Sequence, residues 1–349
     1  MEQKAATATA SPNIAFVKYW GKRDERLILP YNSSISMTLD DSLNTVTSVL
    51  FSKELQNDRF FINGEEQELA DKETAERFGV VGILRRMAGN GEHALVVSRN
   101  SFPTASGLAS SASGTAALVF ACSKALGLEM KARELSIVAR QGSGSSCRSM
   151  FGGIVMWKRG RKEDGTDSYA RRIASERQWP DLVDVIAIVS TERKRVLSRS
   201  GMRQTVESSA LYKARTKFAE SNAKEMIKAV KTKDFAGMAG IIMRESNDMH
   251  AVMLDTFPPI FYLNDSSKEI MAAIHELNGS MGKIVAAYTF DAGPNAHIIT
   301  LRENEAAVRE ALRKVQGIKE VKTAGIGSGP KTLPESDSLI DAGRLMPKS

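Results

Sequence analysis

The sequence contains little cysteine. Among its 349 residues only Cys122, inside an apolar segment of helical spacing, and Cys147, in a stretch rich in glycine and serine, carry thiols. Secreted domains that depend on disulfides have many more cysteines at regular spacings. The sequence therefore argues against a disulfide framework, and we expect a reduced, cytoplasmic setting.

Long hydrophobic runs are also absent. The longest apolar segments, such as residues 185–189, are far shorter than the roughly 18 residues that a membrane-spanning helix requires. Residues 1–9 include Lys4 but lack the apolar core of a secretory signal. We therefore expect neither a membrane span nor a secretory signal.

Aromatic residues make up only 6% of the sequence, and the net charge is +7. A basic protein can bind nucleic acid, or it can place its charges around a polyanionic small molecule. The basic clusters at 159–162, 171–172 and 193–203 lack the interleaved aromatics that stack on bases. We therefore expect no nucleic-acid partner, and residues 159–162 are predicted to form the solvated tip of a hairpin.

Several well-known catalytic motifs are missing. No His-Glu-x-x-His or Cys-x-x-Cys pattern predicts a metal site, and no Gly-x-Ser-x-Gly elbow predicts a serine nucleophile. The histidines are few and scattered, at His93, His250, His275 and His297.

Apolar periodicity predicts the order of the secondary structure. Alternating residues predict strands early in the chain, and Asn63-Gly64 predicts a tight hairpin turn. Helical spacing predicts a helix over 72–87, and the apolar run 182–189 predicts a strand that opens a second domain. Strands and helices interleave without a regular βαβ rhythm, which predicts a two-domain α+β fold. The polar tail after Gly329 is predicted to be loose.

The most informative segment is residues 102–114, a run of small residues that leads into an apolar helix predicted over 115–126. Small residues let a ligand approach the backbone, and free N–H groups at a helix N-terminus bind anions. The run predicts a phosphate cradle, although tight packing before a helix produces similar runs. It is not a Walker A motif, because it has no lysine, so cationic help would come from elsewhere or from a metal ion.

Three other segments carry residues suited to anionic ligands or catalysis. Lys18 and Lys22 can face one anionic site if the chain turns after Lys18. Residues 141–148 combine a Gly/Ser loop with Arg148, which suits a carboxylate or a diphosphate. Asp291 follows an apolar strand, where catalytic groups often lie. The simpler interpretations are surface lysines, a flexible linker and a turn-forming aspartate.

Taken in order, these segments resemble the GHMP kinase superfamily, and in detail the diphosphomevalonate decarboxylase family. The resemblance covers nearly the whole chain, in residues 10–22, 32–34, 102–113, 140–153, 198–205 and 288–295. It implies a two-domain GHMP kinase fold with the active site in the cleft between the domains. The N-terminal domain, residues 1–185, would be ribosomal-protein-like α/β, and the C-terminal domain, residues 186–349, would be ferredoxin-like α+β. The resemblance also implies a homodimer.

The resemblance further implies an activity. The family converts mevalonate 5-diphosphate and ATP to isopentenyl diphosphate, ADP, phosphate and CO₂, in the mevalonate pathway of isoprenoid biosynthesis. ATP and Mg²⁺ are the implied cofactors. The 3-hydroxyl would be phosphorylated first, and loss of phosphate and decarboxylation would follow.

Residue roles are implied in the same way. Asp291 would be the base or orienting carboxylate for the 3-hydroxyl, Lys18 would keep it ionised, and Arg148 would hold the substrate carboxylate. The substrate and its diphosphate would be bound by Tyr19, Lys22, Ser143, Ser145, Ser198 and Arg199. The ATP phosphates would lie against Pro103, Ser106, Gly107, Leu108, Ala109, Ser110 and Ser111, with Ser110 as a ligand of Mg²⁺.

Two alternatives on the same scaffold stay open, namely an enzyme that acts on mevalonate 5-phosphate and a mevalonate 3-kinase that does not decarboxylate. The joint presence of Lys18, Arg148 and Asp291 favours the full decarboxylase. The very basic segment 191–197 lies near the expected phosphate-binding residues and leaves the phosphorylation state of the substrate undecided. A basic RNA-binding module, the alternative from another class, gives no reason for those three residues to occur together.

Overall fold

The first half of the chain alternates short strands with a few helices. The computed structural model describes residues 4–101, 110–192 and 195–348. In this half the strands are β1 (Lys4–Ala10), β2 (Asn13–Val17), β3 (Lys22–Asp24), β4 (Leu29–Pro30), β5 (Ser34–Thr38), β6 (Thr45–Ser52), β7 (Arg59–Ile62), β8 (Glu65–Glu66), β9 (His93–Asn100), β10 (Ile154–Trp157) and β11 (Ala170–Ala174). The helices are α1 (Lys72–Met87), α2 (Ser110–Ala125), α3 (Ala132–Gly142) and the short α4 (Ser146–Ser149).

The second half contains longer helices. Its strands are β12 (Leu182–Ile188), β13 (Ala286–Phe290), β14 (Ala296–Leu301), β15 (Glu320–Gly325), β16 (Lys331–Leu333), β17 (Ile340–Asp341) and β18 (Met346–Pro347). Its helices are α5 (Ser198–Ser208), α6 (Tyr212–Thr232), α7 (Phe235–Leu254), α8 (Asp265–Ser280) and α9 (Glu305–Arg313), with 3₁₀ turns at Arg302–Asn304 and Glu335–Asp337. Within the described ranges, no helix is both long and apolar enough to cross a membrane.

Among the described residues, three sheets of four or six strands organise most of these elements, while β3-β4 and β17-β18 form two-stranded sheets. The first has the order β16-β1-β6-β9-β7-β8, the second β11-β10-β5-β2, and the third β13-β14-β12-β15. The principal core is shared by the second and third sheets and by helices α6 to α9. It includes Ile14, Phe16, Ile35, Val185, Met226, Ile242, Ile298 and Val308. The strand ends of β2 and β13 therefore meet across one core, although they are far apart in sequence.

Local signals in the sequence predict several elements well. The helix predicted over 72–87 is confirmed as α1, and the Asp71 carboxylate caps it by accepting the backbone N–H of Thr74 at 3.0 Å. The turn at Asn63-Gly64 is confirmed between β7 and β8, with φ values of +51° and +88° that glycine and asparagine tolerate best.

The tail after Gly329 is not loose, and the prediction for it was wrong. β16 pairs antiparallel with β1, placing Thr332 opposite Ala8. Further on, Leu339 and Ile340 are buried in a small apolar cluster with Leu50, Phe61 and Leu95 of the first sheet. Two apolar side chains in a polar stretch give no periodic signal, but they suffice to anchor the segment on an existing sheet.

The division of the chain at residues 185 and 186 stays a proposal. β12 crosses that position as one continuous strand of the third sheet. We therefore place the change from the second to the third sheet at Leu182, where β12 begins. The return of β16 to the first sheet ties the end of the chain to its beginning.

Gly21 offers a test of how the two halves fit together. Its φ is +96°, and a Cβ at this position would collide with the ring and hydroxyl of Tyr212, which donates a 2.7 Å hydrogen bond to the Trp20 carbonyl. We expect Gly21→Ala to lower the free energy of unfolding by about 2–4 kcal/mol, combining backbone strain and overpacking. Urea denaturation measures the change.

Gly240→Ala is the matched control, because Gly240 lies inside α7 and a Cβ there meets nothing within 4 Å. This substitution should raise stability by about 0.5–1 kcal/mol through better helix propensity. Equal effects of the two substitutions would contradict the tight contact at Gly21.

Candidate active site

The site centres on an ion pair between Lys18 and Asp291, which come from the two halves of the chain. Lys18 directly follows β2 and Asp291 directly follows β13, so each lies where a strand ends. The Lys18 Nζ lies 2.7 Å from Asp291 Oδ1. The Lys18 side chain is fully buried, whereas that of Asp291 is 32% exposed. The carboxylate is therefore reachable from solvent while its cation is not.

Burial and neighbouring charges pull the pKa of Lys18 in opposite directions. Loss of hydration is the largest effect and lowers the pKa of the Lys18 ammonium, since a buried charge is unfavourable. The carboxylate of Asp291 raises it again, and the guanidinium of Arg148 lowers it further. The ammonium thus depends on Asp291 for its charged state.

Arg148 projects from the short helix α4 and is almost fully buried, at 3% exposure. Its Nε donates to Asn13 Oδ1 at 3.1 Å and to Ser36 Oγ at 2.9 Å, while Nη1 donates to Ser34 Oγ at 2.7 Å. Burial lowers the pKa of Arg148, yet a guanidinium stays charged in proteins. These neutral partners orient the guanidinium and leave its charge without a carboxylate partner in the described structure.

The Gly/Ser loop at 142–146 is packed and ordered by hydrogen bonds, so it is not a flexible linker. The Ser146 Oγ donates to the carbonyls of Ala139 and Ser143, each at 2.6 Å. Ser143 is itself buried and donates from its Oγ to the Ser111 Oγ at 3.5 Å. The Ser145 carbonyl accepts a hydrogen bond from the Asn13 side chain. The loop thus lies between α2 and the Arg148 region.

Tyr19 lines the same region. Its ring meets the Trp157 ring edge-on, with centroids 4.7 Å apart, and a Cβ at Gly144 would collide with it. Burial raises the pKa of Tyr19, with smaller effects from the charges of Glu25 and Arg199. The phenol therefore stays protonated and can donate a hydrogen bond.

Lys22 and Arg199 are both paired with carboxylates. Lys22 Nζ lies 2.5 Å from Glu25 Oε2. Arg199, in the first turn of α5, pairs with Glu76 and donates to the Gly142 carbonyl at 2.5 Å. Ser198 begins α5. The structure thus places Arg199 beside the Gly/Ser loop, as expected of two segments of one site.

The predicted phosphate cradle lies mostly outside the described residues. This applies to Pro103, Ser106, Gly107, Leu108 and Ala109. Ser110 is the first residue of α2, and Ser111 contacts Ser143. The start of α2 therefore lies beside the loop that carries Ser143.

Several buried polar residues near the ion pair escaped the sequence analysis. Glu245 on α7 accepts the backbone N–H of Lys18, and the buried His297 Nδ1 lies 2.6 Å from Asp184 Oδ2. Burial raises the pKa of Asp184, and the nearby His297 and Lys18 lower it. A Glu and a Ser in an apolar helix stripe were the available signal for Glu245 and Ser246.

Comparisons with known proteins decide the family. Residues 10–170 match the diphosphomevalonate decarboxylase-like N-terminal domain, and residues 184–338 match the mevalonate 5-diphosphate decarboxylase C-terminal domain. The chain belongs to the diphosphomevalonate decarboxylase family. The two-domain GHMP kinase fold expected from the resemblance is confirmed.

Individual members of this family are similar over most of their length. Diphosphomevalonate decarboxylase of Eremothecium gossypii is 45% identical over 326 residues, covering 90% of this chain and 82% of the relative. Two solved structures are each 36% identical, with a TM-score of 0.86, covering 94% of this chain and 98% of theirs. One concerns mevalonate diphosphate-mediated ATP binding by the decarboxylase of Enterococcus faecalis. The other holds MDDEF in complex with MVAPP, AMPPCP and magnesium.

His250 gives a test of burial close to the ion pair. It lies on α7 with its ring edge-on to Phe290, and burial lowers its pKa to about 4. Below pH 6.5 the unfolded chain takes up a proton at His250 before the folded protein does. The free energy of unfolding therefore decreases as the pH is lowered. Single-group linkage gives a loss of about 2 kcal/mol at pH 5.

Urea denaturation at pH 7 and pH 5 measures this loss in wild type and in His250→Gln, which lacks the titrating group. We expect the wild type to lose about 2 kcal/mol more than His250→Gln between the two pH values. His93→Gln, at a side chain that is 44% exposed, is the control for the effect of a His-to-Gln substitution itself. Equal pH dependence in wild type and His250→Gln would contradict the burial.

Proposed function

We propose that the protein catalyses the ATP-dependent decarboxylation of mevalonate 5-diphosphate to isopentenyl diphosphate, with ADP, phosphate and CO₂ as the other products. Family membership over nearly the whole chain supports this function. The observation that supports this function most directly is the Lys18–Asp291 ion pair with Arg148 nearby. The three side chains supply a base, its countercharge and a cation for the substrate carboxylate.

Asp291 is the base, or the orienting carboxylate, for the tertiary 3-hydroxyl. Its partial exposure supports this role, because substrate must reach the carboxylate. As the oxygen of that hydroxyl attacks the γ-phosphorus of ATP, its proton passes to Asp291 and the bond from phosphorus to the ADP oxygen breaks. Phosphoryl transfer is mostly positioning and charge stabilisation, and Lys18 keeps Asp291 ionised and in place.

Arg148 holds the substrate carboxylate. When the C3–O bond breaks, inorganic phosphate departs with the electron pair and C3 becomes electron-poor. The bond from the adjacent carbon to the carboxylate then breaks, its electrons form the new double bond, and CO₂ leaves. The hydroxyl and amide partners of Arg148 support this role, because they fix the guanidinium without neutralising it.

The diphosphate is bound by polar and cationic side chains around Tyr19. We assign Lys22 and Arg199 to it, each exchanging a carboxylate partner for a phosphate when the substrate binds. The remaining members of this group are Ser143, Ser145 and Ser198. Their position beside Tyr19 and the Gly/Ser loop supports the assignment.

ATP binds at the small-residue segment before α2, with its phosphates near residues 103–111. Mg²⁺ usually binds through one or two protein ligands together with substrate phosphates. Among the described residues no three His, Cys, Asp or Glu side chains gather as a metal site. An ion held chiefly by phosphate oxygens needs no such group of side chains, and we propose Ser110 as its protein ligand. Bound Mg²⁺ would neutralise charge that develops on the transferred phosphoryl group.

The enzyme is proposed to be a cytoplasmic homodimer. Two buried free thiols, Cys122 and Cys147, support a reducing compartment. Exposed Phe257 and Phe261, at 83% and 71% exposure, support an apolar contact with a second copy. A monomeric mass by sedimentation, or recovery of the protein outside the cytosolic fraction, would contradict these two assignments.

The products formed from two substrates test the function. The protein is incubated with ATP, Mg²⁺ and either mevalonate 5-diphosphate or mevalonate 5-phosphate, and ADP and CO₂ are measured separately. We expect both products in equal amounts from the diphosphate and little of either from the monophosphate. ADP without CO₂ would indicate a 3-kinase, and faster CO₂ release from the monophosphate would overturn the substrate assignment.

Asp291→Asn tests the role of the carboxylate. An amide accepts no proton from the 3-hydroxyl and gives Lys18 no countercharge, so we expect turnover to fall by at least about 10³-fold. Nucleotide binding, measured by calorimetry, should stay within about threefold of wild type, because the ATP segment is untouched. Asp181→Asn, at an exposed position before β12, is the control and should retain wild-type turnover. Substantial turnover in Asp291→Asn would refute the role.

A further inference from the structure

Two consecutive residues of α7 bond to the backbone segments that carry the ion pair. The Glu245 Oε2 accepts the backbone N–H of Lys18 at 3.0 Å. The Ser246 Oγ accepts the backbone N–H of Phe290, the residue before Asp291, also at 3.0 Å. Glu245 and Ser246 are buried, at 0% and 1% exposure. Losing either acceptor would leave a buried N–H unsatisfied.

The carbonyl of Lys18 is held as well as its N–H. It accepts hydrogen bonds from Asn32 Nδ2 at 2.9 Å and from Arg215 Nη2 at 3.5 Å. Glu245 is in turn oriented by Asn222, whose Nδ2 donates to Glu245 Oε1 at 2.7 Å. Both peptide groups of Lys18 are therefore fixed by side chains, including residues of α6 and α7 from the other half of the chain.

The bond from Ser246 to Phe290 belongs to a longer contact between α7 and β13. The Asn247 side chain donates to Tyr288 Oη at 3.1 Å, and one turn further along α7 the His250 ring packs edge-on against Phe290. The helix therefore lies along the strand that ends at Asp291.

We propose that Glu245 and Ser246 are positioning residues that together set the distance between Lys18 Nζ and the Asp291 carboxylate. The proposal rests on the function proposed above. Adjacent residues on one helix differ by a fixed rise of about 1.5 Å, so the two backbone anchor points keep a constant separation. The helix thus holds the ends of β2 and β13, which lie in different sheets, in a fixed relation to each other.

This arrangement explains how two catalytic side chains that follow strands of different sheets are held at a fixed distance. Small errors in the position of reacting groups lower rates strongly, because the reacting atoms must be aligned before the chemical step. The ion pair alone does not fix the positions of the two side chains, because its energy changes little over small displacements. Backbone bonds to one rigid element remove that freedom.

Charged or titratable groups surround the pair from every packed element. They are Arg148 on α4, Asp184 on β12, His297 on β14, Arg215 on α6, and Glu245 and His250 on α7. Ser246→Ala changes none of these charges. A shift in the pH dependence of turnover in that variant therefore reports a changed geometry of Lys18 and Asp291.

The experiment compares Ser246→Ala with the matched control Ser123→Ala. Ser123 is equally buried, at 1% exposure, but its Oγ donates to the Phe120 carbonyl within α2. We expect Ser246→Ala to lower kcat by about 10- to 100-fold and to shift the pH–rate profile, with KM for ATP within about twofold of wild type. Ser123→Ala should keep the wild-type kcat and profile. Ser246→Cys, which replaces the Oγ acceptor with a weakly accepting sulfur and changes none of the charges around the pair, should act like Ser246→Ala and decides the question if that variant fails to fold.

A readout without turnover separates this proposal from the proposed function. The Lys18 amine is followed by NMR with ¹⁵N-labelled lysine in wild type, Ser246→Ala and Ser123→Ala, and we expect its titration to move only in Ser246→Ala. If the wild type fails to decarboxylate while this shift appears, the proposed function fails and the positioning role stands. If kcat, the pH profile and the Lys18 titration of Ser246→Ala match those of Ser123→Ala, the positioning role is overturned.

Discussion

The ion pair between Lys18 and Asp291 is the interaction on which the rest of the site depends. A fully buried ammonium is unfavourable without a countercharge, so Lys18 requires Asp291 at the position where the structure places it, 2.7 Å away. The ion pair also links two sheets, because Lys18 and Asp291 directly follow strands that belong to separate sheets. The two halves of the chain therefore share both the core and the site.

The site contains several buried cations, and the groups that stabilise the buried charge differ from one to the next. Lys18 is paired with a carboxylate, whereas Arg148 is surrounded by hydroxyl and amide oxygens. Lys22 and Arg199 hold carboxylate partners that lie closer to solvent. These differences between the partners agree with the roles proposed for the four cations. The charge of Arg148 is kept available for a substrate carboxylate. The carboxylates paired with Lys22 and Arg199 are 42% and 41% exposed, so they can give way when phosphate groups arrive.

Sequence reasoning predicted the fold class, most of the secondary structure and the candidate catalytic residues, but from different kinds of signal. Helix α1 and the Asn63-Gly64 turn follow from local periodicity and turn chemistry. Lys18 and Asp291 are 273 residues apart, so no local signal joins them, and only the family resemblance brought them together. The position of Glu245 in an apolar helix stripe was only a weak signal, since a single acidic residue in a helix is ordinarily exposed. The anchoring of the tail depended on a sheet edge that exists only after folding.

The central claim is that Lys18 and Asp291 act as one unit, and a double-mutant cycle on kcat tests it most directly. Lys18→Met, Asp291→Asn and the double variant are compared with wild type in single-turnover phosphoryl transfer. If the two residues form one unit, the double variant is no slower than the slower single variant, because the second substitution removes nothing that is still working. Losses that multiply, with the double variant slower by the product of the two single effects, would contradict the account.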